Sequence, residues 1–138
     1  MKTNIISSLD EQHKLDLLLL YHNAWWSKDR TSSDIDIILA NSSFYIGLVL
    51  EKTNKLIAFS RVLTDYFQFS YVYDVIVDEA YRGHGFGKIL IEEIINHPKL
   101  RNIKNIELVC RKEMMPFYNQ FGFTDDYKQS ISMRLQKS

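Results

Sequence analysis

The chain has 138 residues, 46% of them hydrophobic, a length and composition that suit one domain with one core. Its 17 basic residues balance 17 acidic ones, which argues against a dedicated nucleic-acid binder, and no run approaches the roughly 20 apolar residues of a membrane span. The N-terminus lacks the order of a signal peptide, and the single cysteine, Cys110, excludes an internal disulfide and a cysteine metal cluster. The expectation is a cytoplasmic protein that uses a cofactor, with no nucleic acid, membrane or metal among its partners.

Residues 2–7 suit a short opening strand. Ser8 and Glu11 have the spacing of a capping box, in which side chains satisfy the orphan amides of a helix start. Leu15, Leu18, Leu19, His22, Trp25 and Trp26 then recur at helical spacing and predict a first helix over about residues 9–26. The polar run 27–32 breaks it, and Ile35, Ile38 and Leu39 predict a second, shorter helix. Residues 44–50 and 56–63 are rich in β-branched and aromatic side chains and flank a turn-like stretch, 52–55, which predicts an antiparallel hairpin. After a turn at 64–66, residues 69–77 form a nearly continuous apolar run, expected as a strand buried on both faces.

A glycine loop follows, Arg82-Gly83-His84-Gly85-Phe86-Gly87, and then a helix with Leu90, Ile91, Ile94 and Ile95 on one face, ended by His97-Pro98. Residues 106–110 predict a further strand. Residues 114–121 predict a short helix closed by Gly122, and 130–135 a last strand. This order describes an α/β (α+β) chain with a mixed sheet and one glycine loop near its middle.

A strand running into Arg-Gly-x-Gly-x-Gly and then a helix gathers free backbone N–H groups at a helix N-terminus, where they and the helix dipole attract phosphate oxygens. Arg82 and Lys88 flank the loop with positive charge. The spacing excludes a nucleotide-hydrolase loop, because Gly83 to Gly87 is one residue short and Ile89 replaces the hydroxyl that would hold magnesium. The dinucleotide pattern needs Gly-x-Gly-x-x-Gly and an acidic residue at a strand end. Glu107 lies at a tempting distance, but the glycines have the wrong spacing and apolar residues follow Glu107.

The stretch Asp74-Val75-Ile76-Val77-Asp78-Glu79-Ala80-Tyr81-Arg82-Gly83-His84-Gly85-Phe86-Gly87-Lys88 resembles the central motif of the GNAT superfamily of N-acetyltransferases, at Arg82, Gly85 and Gly87. A second block, Met115-Pro116-Phe117-Tyr118-Asn119-Gln120-Phe121-Gly122-Phe123, resembles the family's later helix and turn. The resemblance implies a GNAT fold over 1–138: a central mixed, mostly antiparallel sheet, splayed near its middle and flanked by about four helices. It implies acetyl-coenzyme A as co-substrate, no metal, and acetyl transfer to a primary amine by direct attack in a ternary complex. Residue by residue, it assigns the pyrophosphate to Arg82 and the amides of Gly83, His84, Gly85, Phe86, Gly87 and Lys88. The backbone of Val75, Ile76 and Val77 would pair with the pantetheine arm, an amide of Ile76 or Val77 facing the thioester oxygen as an oxyanion donor. Phe117 falls on the cofactor side, and Tyr118 takes the place of the general acid that protonates the departing thiolate.

Members of the family often carry Glu or His at the positions of Tyr71 and Tyr73. The tyrosines here leave the base open between Asp74, Glu113 and a relay of waters touching tyrosines. Strand alternation puts Asp74 on the face opposite Tyr73 and Val75 and suggests that it bonds a loop amide. An acetyl-cysteine route through Cys110 has no histidine to activate it, and a lone strand cysteine is usually a small buried hydrophobe. The acceptor is expected between the first two helices and the hairpin, with Trp25, Trp26, Arg30, Tyr71 and Tyr73 as walls and Tyr66 and Phe67 nearby. The stretch around Tyr118 resembles serotonin N-acetyltransferase-like members of the superfamily, which implies an arylalkylamine acceptor. His13, His22 and His97 have no metal-ligand spacing. A catalytically silent acetyl-coenzyme A sensor and a protein or peptide N-acetyltransferase are the alternatives. The resemblance leaves room for a homodimer.

Overall fold

The chain opens with β1 (Thr3–Ile6) and two helices, α1 (Glu11–His22) and α2 (Ser32–Asn41), and then lays down β2 (Phe44–Leu50), β3 (Leu56–Thr64) and β4 (Phe69–Val77). A 3-10 turn at Glu79–Tyr81 leads through the glycine loop into α3 (Phe86–Ile95), and β5 (Asn105–Glu107) completes the sheet. This computed structural model describes residues 1–137. Met1–Leu108 form one compact unit holding all of these elements; a second, smaller unit begins at Val109 and contains a 3-10 turn at Lys112–Met114 and α4 (Met115–Asn119).

The sheet runs β1-β2-β3-β4-β5, with the first three pairings antiparallel and the last parallel. The fold is therefore the expected mixed α/β one, five strands with four helices. α3 buries Phe86, Leu90, Ile91 and Ile94 against β2, β3 and β4, each side chain contributing about 1.5–3 kcal/mol of apolar burial. On the other face Leu17, Leu20, Tyr21, Ile35 and Ile38 meet Val49, Leu56, Phe59 and Ile76.

Several expectations change in detail. α1 is capped by Asp10: its carboxylate accepts the His13 N–H at 2.9 Å, and the Asp10 N–H returns a bond to His13 Nδ1 at 3.2 Å. The box is therefore Asp10 with His13, one register away from Ser8 with Glu11. The buried stripe is also the neighbouring one, His13, Asp16, Leu17, Leu20 and Tyr21, while Leu15 and Leu19 are exposed. Four consecutive leucines fit either register; polar anchors decide, since Asp16 Oδ2 accepts the Leu56 N–H and His13 Nε2 bonds the Asn54 carbonyl. α1 ends at His22 instead of 26, because the buried Ser27 hydroxyl donates to the Tyr21 carbonyl at 2.7 Å and the Asn23 N–H closes the last turn. Trp25 and Trp26 consequently lie outside the helix and are exposed.

β4 is buried on alternate residues, Ser70 and Val72 and then Ile76, leaving Phe69 and Tyr73 partly exposed, so it is not covered on both faces. β5 is shorter than 106–110, and Glu107 closes it instead of lying inside it. Residues 130–135 form no strand. Their alternation of Ile131, Met133 and Leu135 is strand-like, but these side chains are 81%, 86% and 87% exposed. A strand exists only as one side of a hydrogen-bonded ladder, and no ladder among the described residues includes this segment.

Candidate active site

Two neighbouring features of the larger unit hold most of the candidate site residues: the loop after β4 and a bulge within β4. At the strand end, the Asp78 N–H bonds the Ile57 carbonyl at 2.7 Å and the Asp78 carboxylate caps the following 3-10 turn through the Ala80 N–H. The chain then turns with Gly83 at φ +81° and Gly85 at φ +80°, left-handed conformations that disfavour any side chain, although a Cβ would meet nothing within 4 Å at either. Gly85 is the N-cap of α3, and the first intrahelical bond of that turn, Ile89 N–H to Gly85 O, leaves the amides of Phe86, Gly87 and Lys88 ahead of it. Arg82 Nε donates to the Val77 carbonyl at 3.2 Å, tying the strand end to the loop. His84 Nδ1 lies 3.1 Å from the carbonyls of Tyr81 and Arg82, and its ring stacks on Phe86. His84 thus braces the loop.

The parallel pairing of β4 with β5 covers only Phe69 to Tyr71 against Asn105 to Glu107. Beyond it, no strand among the described residues pairs with Val75, Ile76 or Val77 on that side, while Ile76 and Val77 remain paired with β3 on the other. An unpaired strand edge leading into amides that precede the first helical bond fits an extended ligand that ends in phosphates. The residues present therefore fit coenzyme A, its arm along β4 and its pyrophosphate at Gly83 to Lys88.

The bulge lies where β4 departs from alternation. Phe59 faces Ile76 and Arg61 faces Tyr73, so Asp74 and Val75 together oppose Ser60, and Asp74 takes φ 58°. The Ser60 hydroxyl closes the irregularity by donating to the Tyr73 carbonyl. Asp74 Oδ2 accepts three donors: Arg61 Nε at 2.7 Å, Tyr21 OH at 2.8 Å and Arg30 Nη1 at 3.0 Å. Its side chain is only 7% exposed. Two expectations are corrected here. Asp74 bonds no loop amide, and it is not opposite Tyr73, since Arg61 touches both, its guanidinium lying 5.4 Å from the Tyr73 ring centre. The bulge inserts one residue and so cancels the alternation on which the expectation rested.

Burial, reinforced by the charge of Asp74, raises the Tyr21 phenol far above its ordinary range and keeps it protonated as a donor. The Arg30 guanidinium stacks 4.2 Å from the Tyr21 ring and 5.4 Å from that of Trp26. Tyr73 stacks on Tyr71, and Tyr71 packs on Phe69. Among the expected acceptor walls, Trp26, Arg30, Tyr73 and Tyr71 thus form one connected set. Trp25 lines a cavity of about 400 Å³ with Trp26, Lys28, Arg30 and Asp34. Tyr21 and Arg61 were not anticipated. The signal for Arg61 was present, a lone charge in an apolar strand; Tyr21 looks like any core aromatic.

In the smaller unit, Tyr118 is the buried residue of α4, with Phe117 edge-on at 4.9 Å and Phe123 at 6.0 Å. The helix is shorter than the expected 114–121, with Gln120 as its C-cap, and Gly122 lies in the turn beyond it at φ +98°. Burial, with a smaller push from neighbouring Cys110, moves the Tyr118 phenol up to about 12. The Cys110 thiol is itself pushed up, first by burial and then by Glu113, which favours its protonated form. Glu113 is at the surface, 3.6 Å from Arg111. Among the described residues no group of His, Cys, Asp and Glu could hold a metal ion.

The model of the acetyltransferase (GNAT) family matches residues 12–123. The chain belongs to this family. It is 29% identical over 123 residues to the N-acetyltransferase ycf52 of Pyropia yezoensis, itself uncharacterized, covering 88% of this chain and 70% of that protein. It is 32% identical over 133 residues to the histone acetyltransferase TAP1 of Glycine max, covering 88% of this chain but 56% of the soybean protein. A solved structure from Xanthomonas campestris assigned to the same family superposes with a TM-score of 0.79 at 26% identity, covering 96% of this chain and 94% of that one. Family membership makes this GNAT chain an acyltransferase domain and implies acetyl-coenzyme A as its donor.

Proposed function

We propose that this GNAT domain transfers the acetyl group of acetyl-coenzyme A to the primary amine of a small molecule, by direct attack in a ternary complex. The observation that carries the reading is the free edge of β4 running into the left-handed glycine loop, beside the stacked aromatic side chains of the same strand. Acetyl-coenzyme A supplies an acetyl group already activated as a thioester. The amides of Gly83 to Lys88 bind its pyrophosphate, and those of Ile76 or Val77 face the thioester oxygen, where they offset developing negative charge.

An alkyl ammonium loses its proton near pH 10, so a base must collect it. Asp74 is not that base: its Oδ2 already accepts three donors and its charge is offset by two guanidiniums. Glu113, exposed beside Arg111, is a surface pair. The proton leaves through water held by Tyr71 and Tyr73. The family resemblance of the block 115–123 gives Tyr118 the role of proton donor to the leaving thiolate, and burial keeps its phenol protonated throughout the neutral range.

The soybean relative's name suggests protein lysine as an acceptor. The cavity of about 400 Å³ lined by Trp25, Trp26 and Arg30 is of small-molecule size, which favours a small acceptor. The test is turnover across arylalkylamines, amino acids, amino sugars, polyamines and a histone-tail peptide, with Tyr118→Phe alongside. The expected result is turnover on a small amine, falling about 100-fold in Tyr118→Phe with acetyl-coenzyme A affinity unchanged. Acetyl-coenzyme A binding without turnover on any acceptor would instead make the domain a sensor.

A further inference from the structure

Beside the aromatic wall, one carboxylate is shared by two guanidiniums. Arg30 and Arg61 both bond Asp74 through the same oxygen, and the third donor, Tyr21, is a neutral phenol. Counting charges, two positive groups meet one negative one, so the cluster carries a surplus of one positive charge. The adjoining cavity also holds Lys28 and Asp29, of opposite charge, and Asp34, whose carboxylate stays negative while it accepts the Thr31 N–H at 2.8 Å, so the positive surplus is local to the two guanidiniums around Asp74. Arg30 and Arg61 are not sealed in, their side chains being 25% and 16% exposed. Contacts of Arg30 with the Tyr21 and Trp26 rings and of Arg61 with the Tyr73 ring restrain the two guanidiniums, which pre-organises their remaining N–H groups. A guanidinium fork held in this way matches a carboxylate.

We infer that Arg30 and Arg61 form an anion subsite, and that the acceptor of this domain is an aromatic amine bearing a carboxylate. The carboxylate pairs with the guanidiniums while the ring stacks on Tyr73 and Tyr71. The inference rests on the small-molecule reading above and narrows it. It excludes polyamines and lysine tails, whose extra positive charge the subsite repels, and it disfavours plain arylalkylamines, which leave the surplus charge unmatched.

The test uses two product-like probes that differ only in the carboxylate, N-acetylphenylalanine and N-acetylphenethylamine, titrated calorimetrically into the protein saturated with coenzyme A. The carboxylate probe is expected to bind at least tenfold more tightly. Arg61→Gln should abolish that preference and Arg61→Lys restore part of it, with thermal melts confirming that each variant is folded. Asp74→Asn, which suits the left-handed backbone and frees the second arginine's charge, should increase the preference severalfold, an effect that a purely structural role for the cluster would not produce. Equal binding of the two probes, a preference that survives Arg61→Gln, or loss of coenzyme A affinity in Arg61→Gln would each overturn the inference. A carboxylate preference in a protein that acetylates no amine would uphold the subsite and retire the transfer reading, so the two failures remain distinct.

Discussion

The glycine loop and the Asp74 cluster sit within 15 residues of each other and are held by opposite means. The loop owes its shape to backbone: two left-handed glycines, a carbonyl tied by Arg82 and amides kept ahead of the first helical bond. The cluster owes its shape to side chains from three distant segments, with Tyr21, Arg30 and Arg61 converging on one carboxylate oxygen. A loop of this kind fails when a single methyl is added and keeps its charge whatever surrounds it. A cluster of this kind tolerates changes of shape and fails when its charge is altered. Under the proposed function, the donor half of the site is therefore sensitive to sterics, and the acceptor half to electrostatics.

The largest expected effect tests the second half of that contrast. Asp74→Ala leaves two guanidiniums facing each other and puts a Cβ-only side chain at φ 58°, so it should cost about 3 kcal/mol in chemical denaturation. That figure is the lower end for a broken ion pair, because both arginines keep some contact with water. Asp74→Asn removes the same charge and should cost nearly as much, relieved only by the acceptor oxygen it keeps and its tolerance of the left-handed backbone. A loss in Asp74→Asn far smaller than in Asp74→Ala would show that charge is not what holds the cluster.

Gly85→Ala tests the first half. At φ +80° an alanine costs about 1 kcal/mol, and acetyl-coenzyme A affinity should fall about tenfold or more as the amides shift. Gly83→Ala, at φ +81°, should do the same. Unchanged affinity in both would detach the loop from the cofactor.

A smaller effect is on pH dependence. The phenols of Tyr21 and Tyr118 are raised in the fold above their ordinary value near 10. Groups raised in this way favour the folded state fully below pH 10, and the benefit is lost as pH rises toward 12, because the unfolded chain releases those protons first. Thermal melts should therefore weaken above pH 10, less steeply in Tyr118→Phe. The smallest effect is at the acid side: burial and Lys99 lower the His97 imidazole, so its contribution is present above about pH 6.5 and is lost as pH falls. His97→Gln should flatten that limb slightly in the same melts.

The same contrast explains what could be read from the chain in advance. The order of helices and strands, the glycine loop and Gly122 were legible because they rest on local rules: periodicity, turn chemistry and left-handed glycines. The registers were not. Four leucines in a row let α1 rotate until Asp16 and His13 found backbone partners on and beside β3, and the bulge at Asp74 reversed an argument from alternation. The convergence of Tyr21, Arg30 and Arg61 spans 53, 44 and 13 residues of separation from Asp74, beyond any local pattern. The terminal alternation at 130–135 misled for a related reason: it specifies a strand only if a partner edge is bonded to it.

The account rests on acetyl-coenzyme A occupying the edge of β4 and the glycine loop. The most direct test is calorimetric titration of the protein with acetyl-coenzyme A. The account predicts saturable binding at one site per chain, weakened in Gly85→Ala. A folded sample that shows no binding at millimolar ligand would contradict it.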